Sequence, residues 1–359
     1  MRAILVACLV GVTLAACASQ GESTMEVGGA ASNSPAPIVH KNSISGKVGE
    51  DNPVLAVKID DTKPARPQIG LKDADLVYIE QVEGGVTRLA AIYSSTFPVK
   101  IGPVRSARIS DIELLAQFGK VAFAFSGAQR KLRPVIDSAN LFNLGAEREP
   151  PSVYSRDKTR RPPWNMILDP AALFARANNR SLEMARAKNM GWNFKEATEA
   201  ESLIQSGKEV ESAKVSWPGA RYEIIWSAPD SGWLINQSGT RKEDASGAPL
   251  LASTFVAQIV SITDSEYGDK FGEITPLVTT VGTGKAFVFR DGVVIEGSWS
   301  RPDALSGTTF RSTSGAEITF APGQVWIALV AREPEMRYPP QPAASSEPNG
   351  ASASPAPTK

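Results

Sequence analysis

The chain has 359 residues, with 38 lysines and arginines against 38 aspartates and glutamates. That balance supplies no global basic field for nucleic acid or an anionic membrane, so an anion site has to be local. The two cysteines, Cys8 and Cys17, lie at the start and the one histidine, His40, lies in a Ser/Pro-rich stretch, which excludes Ser–His–Asp and Cys–His machinery and thiolate or imidazole zinc sites from the rest of the chain.

Arg2, the short apolar run Ala3 to Leu14 and the small pair Ala15-Ala16 read as a secretory signal peptide over residues 1–16. The run is too short to span a bilayer. Leu14-Ala15-Ala16-Cys17 resembles the lipobox of bacterial lipoproteins. That resemblance implies a lipid on Cys17, and with it a cell-membrane anchor facing the extracytoplasmic side. Residues 17–45 are rich in Gly, Ser, Ala and Pro and read as a lipidated flexible spacer reaching roughly 30 Å. Residues 334–359 have a similar Pro/Ala/Ser bias and are expected to be a disordered tail.

Between these ends the pattern gives two folded units. The first, residues 46–193, alternates strands with helices, as an α/β domain does. Pro53 to Ile59 reads as a buried strand ending in Asp60-Asp61. Carboxylates at the end of such a strand stand where ligands commonly bind, and the pair is a candidate for a hard metal ion; aspartates also start turns for local reasons. Asp75–Val82 and Val86–Tyr93 flank Glu83-Gly84-Gly85 as a hairpin. Within it, Arg88 either pairs with Glu80 across the strands or joins the arginines that follow.

Those arginines lie in Ile101-Gly102-Pro103-Val104-Arg105-Ser106-Ala107-Arg108. Ser110 and Glu113 fit a capping box, with Ile112, Leu114, Leu115 and Phe118 as the helical face behind them. Arg88, Arg105 and Arg108 are therefore the candidate site for a phosphate or carboxylate. The other reading has Arg105 and Arg108 locked to Asp60, Asp61 or Asp75. After a buried strand at Val121–Phe125, a basic loop offers Arg156, Arg160, Arg161 and Asn165 as a second candidate ligand surface, or as a solvated loop. Helices are expected at Ala171–Ala177, behind Asp169-Pro170, and around Ser181–Asn189.

Residues 194–208 read as a polar connector. The second unit, residues 209–333, has short strands separated by turn residues, with Asp291-Gly292 as a type I′ hairpin signal. Its tryptophans, Trp217, Trp226, Trp233, Trp299 and Trp326, suit a core more than a ligand platform. The fold class is thus α+β: an N-terminal α/β domain followed by a smaller, mostly-β C-terminal domain.

Two sets of residues resemble a known family. One comprises Val57–Asp60, Ala65–Leu71, Ala74–Tyr78, Glu83–Arg88 and Ile101–Arg108; the other comprises Gly282–Phe289, Asp291-Gly292, Gly297–Arg301 and Gly323–Ile327. Both are similar to the YerB family of bacterial lipoproteins. The resemblance implies two domains of the kinds just read and brings no established activity. Many relatives carry histidines near the positions of Phe125 and Trp164, which this chain lacks. A looser likeness to the LytR-CpsA-Psr phosphotransferases lays Asp60, Asp75, Arg88, Arg105 and Arg108 on a metal and pyrophosphate scheme, by fold analogy.

The expectation is therefore an envelope lipoprotein that binds an anionic, phosphate-bearing ligand or a protein partner, with no cofactor and no nucleic acid. Its alternative is a Mg²⁺-dependent enzyme on phosphate- or pyrophosphate-linked envelope precursors, with Asp60 and Asp61 holding the metal. The missing histidines and thiols favour the binding module, and catalysis is left open.

Overall fold

The structure, a computed structural model, describes residues 39–269 and 271–340. The leader, Cys17, most of the spacer and the last part of the tail lie outside the described residues.

In the first half the elements are β1 (Leu55–Asp60), β2 (Leu76–Gln81), β3 (Thr87–Tyr93), α1 (Ser110–Ala116), β4 (Val121–Ala124), α2 (Arg133–Ser138), β5 (Leu141–Asn143), β6 (Tyr154–Arg156), β7 (Met166–Leu168) and α3 (Pro170–Asn179). The second half begins with α4 (Glu201–Gln205), β8 (Lys208–Glu209), β9 (Ser212–Trp217), β10 (Ala220–Ser227), β11 (Gly232–Gln237), β12 (Thr240–Arg241) and β13 (Leu251–Ala252). It continues with β14 (Thr254–Ile259), β15 (Ser261–Gly268), β16 (Ile274–Thr279), β17 (Gly282–Arg290), β18 (Val293–Arg301), β19 (Thr309–Ser312), β20 (Val325–Val330) and β21 (Glu335–Arg337). The described chain is mixed, with many strands and few helices.

The two halves share one sheet. Its order is β19-β18-β17-β14-β20-β2-β3-β1-β4-β5, with β8 beside β18, 11 strands in all. The seam is β20, which pairs in parallel with β14 on one side and β2 on the other. Strands buried on both faces read as continuous apolar runs, and β20 (VWIALV) is buried throughout.

Alternation along these strands makes two cores. Val57, Ile59, Val77, Leu89, Trp326 and Ala328 point to one face, where α3 and the second sheet (β12-β11-β10-β9-β21, with β13) cover them. Ala56, Tyr78, Ala90 and Ile327 point to the other, beneath Leu114 and Leu115 of α1, Ile136 of α2 and Trp192. Trp217, Trp233, Trp299 and Trp326 are all buried, as core tryptophans should be, and Trp226 is half-buried against Trp233.

Four expectations need correction. Ser181–Asn189 is not helical, since the chain there runs extended along the sheet, with Ala185 N donating to the Lys120 carbonyl and Arg186 bridged to Pro53. The expected spacer is shorter: Asn42, Ile44 and Ser45 are buried, and Ser45 Oγ donates to Asp75. The tail starts later, because Glu335–Arg337 adds β21 to the edge of β9. Finally, Ser110 and Glu113 form no capping box. Ser110 is already inside α1, and both side chains turn to β16 and the residues after it. Ser110 Oγ accepts from Val278 N, and Glu113 accepts from Thr280 N and Val281 N. These backbone donors from the second half were invisible to a local motif.

Candidate functional site

The site is built at the end of β1. Asp60 N donates to the Pro103 carbonyl and Arg105 N to the Lys58 carbonyl, so residues 103–105 lie alongside the strand end. The next residues are tied to the loop after β4: Ser126 N donates to Arg105 O, and Ala107 N to Gly127 O. The Gly-Pro-Val-Arg-Ser-Ala-Arg string is thus clamped between two strand ends, and this fixes where Arg105 and Arg108 emerge. Arg88 stands opposite Asp60 on β3, in register with it.

Arg88, Arg105 and Arg108 line one open cleft of about 640 Å³. Glu83, Gln129, Arg130, Glu147, Tyr267, Phe271 and Thr275 also line it, so its far wall is the β15–β16 ribbon of the second half. That size falls in the range of small-ligand pockets.

The three arginines are not equivalent. Arg108 Nη2 donates to Glu83 Oε2 at 2.7 Å, Nε lies 2.5 Å from Oε1, and Nη1 donates to the Ala107 carbonyl. Its guanidinium is a clamp across the turn between β2 and β3. Burial would raise the Glu83 carboxyl, but the hydrogen bond and charge of Arg108, with the Thr275 hydroxyl, hold it below its usual range. Arg105 is held at one corner: Nε lies 2.7 Å from Asp60 Oδ2 without aiming its N–H at that oxygen. Asp60 is itself oriented by Thr62, whose N and Oγ1 donate to Oδ1 at 2.8 and 2.5 Å.

Arg88 differs again. Its Nη1 donates to the Ser106 carbonyl at 2.9 Å, and no carboxylate lies within ion-pair distance among the described residues. Burial first, then the neighbouring charges of Arg108 and Arg105, push it down to about 9, still cationic at neutral pH. Three guanidiniums therefore share two ion-paired carboxylates, Asp60 and Glu83, which leaves Arg88 without one, while Arg130, Glu147 and Asp269 also line the cleft. The expected Arg88–Glu80 pair is not formed. Lys58 Nζ takes Glu80 Oε1 at 2.7 Å and Asp111 Oδ1 at 2.6 Å, in a fully buried triad under α1. Burial pushes the Glu80 carboxyl up to about 7, with Lys58 opposing and Asp111 adding to the rise.

Asp61 is not brought to this cleft. It turns to the second sheet, where Tyr222 OH donates to Oδ2 at 2.7 Å, Gln237 Nε2 to Oδ2 at 2.8 Å and Lys242 Nζ to Oδ1 at 2.7 Å. Thr87 Oγ1 donates to Oδ2 as well. Burial lowers Lys242, and the Asp61 charge opposes that. Asp75 is likewise committed, accepting from Ser94 N, Ser95 N and Ser45 Oγ. Among the described residues no group of three or more His, Cys, Asp or Glu side chains is placed to hold a metal ion.

The basic loop splits. Arg160 donates to the carbonyls of Ala65 and Pro67 and so pins the loop to the turn after β1. Arg156 Nη1 donates to Oδ1 of the buried Asn165 at 2.7 Å, while Arg161 is exposed. Only Pro163 of this loop reaches the cleft. Sequence reasoning marked the Ser126–Gln129 turn only for close backbone approach, and it missed Glu147, Tyr267 and Thr275, which carry no motif and come to the cleft only through the fold.

The comparisons agree with this two-part architecture. Residues 41–183 match the N-terminal domain, and residues 212–327 the C-terminal domain, of the family described as "Protein of unknown function (DUF3048)". The Bacillus subtilis (strain 168) protein named "Putative lipoprotein YerB" is 24% identical over 289 residues, 79% of this chain and 82% of that protein. The crystal structure of YerB from Bacillus subtilis superposes with a TM-score of 0.69 at 21% identity, over 83% of this chain and 99% of that one. With both segments matched in order along most of the described residues, the chain belongs to the two-domain, YerB-like DUF3048 family.

Proposed function

We propose that this protein is an envelope lipoprotein, anchored through a lipid on Cys17 and facing the extracytoplasmic side, whose cleft binds a phosphate-bearing anion. The leader pattern and the lipoprotein name of its Bacillus subtilis relative support the anchor. No helix among the described residues is long and apolar enough to cross a membrane. The observation that carries the ligand class is Arg88: a half-buried guanidinium without a carboxylate, beside two others, on an open cleft. An anion placed there would relieve the repulsion among the three arginines, and guanidinium–phosphate bonds are among the stronger hydrogen bonds proteins make.

The magnesium-enzyme reading has less support. It needs Asp60 and Asp61 on one ion, and the two turn to different elements, each already engaged by a cation. Calorimetric titration of the full-length chain in mild detergent with inorganic phosphate and pyrophosphate tests the binding reading. Binding is expected, weakening at least about 30-fold in Arg88→Ala/Arg105→Ala, from two lost charge-assisted bonds. Equal affinity in that variant removes the proposed site.

A further inference from the structure

The cleft offers more than positive charge. Gln129 lines it beside the arginines, and its Oε1 is buried with no hydrogen-bond partner among the described residues. Gln129 precedes a 3-10 turn at Arg130–Leu132, and its side chain makes no capping hydrogen bond to that turn. A buried acceptor left unpaired is costly, so such an atom marks a place where a donor belongs. Glu147 and Asp269 line the same cleft and add further acceptors. Tyr267, on the ribbon wall, is an aromatic residue of the lining.

We infer that the anion is carried on a sugar, so that the cleft takes a phosphorylated saccharide. This rests on the phosphate reading of the same cleft. The argument is one of matching inventories. Arg88 and Arg105 are donors and call for the phosphate oxygens. Gln129 Oε1 is an acceptor and calls for an O–H or N–H. An alkyl or isoprenyl chain brings no donor to that acceptor. A pyranose supplies several hydroxyls, and its C–H face packs on an aromatic ring. A cleft of about 640 Å³ leaves room for a sugar beyond the phosphate.

The test compares glucose 1-phosphate with ethyl phosphate, inorganic phosphate and farnesyl phosphate by calorimetry on the full-length chain. Glucose 1-phosphate is expected to bind at least tenfold tighter than ethyl phosphate. Gln129→Leu should abolish that gap while leaving ethyl phosphate within twofold, and Tyr267→Ala should narrow it independently. Equal binding of the two monoesters, a gap that survives both substitutions, or tightest binding by farnesyl phosphate overturns the sugar assignment and leaves the phosphate site standing. If none of the four compounds binds, the phosphate site fails together with it.

Discussion

Asp60 and Asp61 are neighbours in sequence, equally buried, and opposite in consequence. Asp60 orients Arg105 at the floor of an open cleft. Asp61 is sealed among Thr87, Tyr222, Gln237 and Lys242, and fastens the end of β1 to the second sheet. One step along an extended chain changes the face, and the face decides whether a carboxylate serves a ligand surface or a seam. Two adjacent aspartates at a strand end therefore do not make a metal site unless the backbone turns to bring both to one side.

That contrast can be broken most forcefully at Asp61. Asp61→Ala leaves the Lys242 ammonium buried without its partner, a loss that typically costs about 3–5 kcal/mol. Chemical denaturation should show it as a large fall in midpoint, and a change under 1 kcal/mol would mean the seam does not depend on this contact. Next in size is the Lys58–Glu80–Asp111 triad. Glu80 is raised in the folded state to about 7, so between its unfolded value near 4.5 and 7 the native protein holds more protons than the unfolded chain. Its contribution then falls as pH rises through that window, by roughly 3 kcal/mol. Stability measured at pH 5 and pH 8 should reveal the slope, and Glu80→Gln should flatten it; an unchanged slope assigns the dependence elsewhere.

A milder loss is expected at Asp60. Asp60→Asn keeps an acceptor for Thr62 and removes only the charge facing a partly exposed guanidinium, so a cost of about 1 kcal/mol is expected. If it equalled the Asp61 loss, the distinction between the two carboxylates would collapse. Smallest is Arg161→Ala. This exposed side chain should change neither stability, within about 0.5 kcal/mol, nor phosphate affinity by more than twofold. A larger drop in affinity would extend the ligand surface onto the basic loop.

What could be read from residues alone followed the range of the interactions. The buried strand at β1, the β2–β3 hairpin and the Asp291-Gly292 turn were legible. Apolar runs and turn chemistry act over a few residues, and both turn residues do adopt positive φ, 45° and 78°. The arginine cluster was half legible. Its three members are close in sequence or strand register, whereas the wall facing them comes from Tyr267 and Thr275. Asp61 and Lys242, 181 residues apart, gave no sign of each other. Ser110 and Glu113 misled for the same reason: a motif that looks local was answering backbone groups some 166 to 168 residues away.

The position of β20 has a consequence for how the chain is made. Synthesis delivers β2 early, with one side of its ladder unfilled, and β14 later, with the same need. Both wait for Val325–Val330, the last strand but one among the described residues. Until then the nascent molecule holds two apolar, edge-exposed strands, each a template for pairing with another copy. A stop codon shortly before Val325 would therefore be as damaging as one near the start, leaving a sheet with its keystone missing.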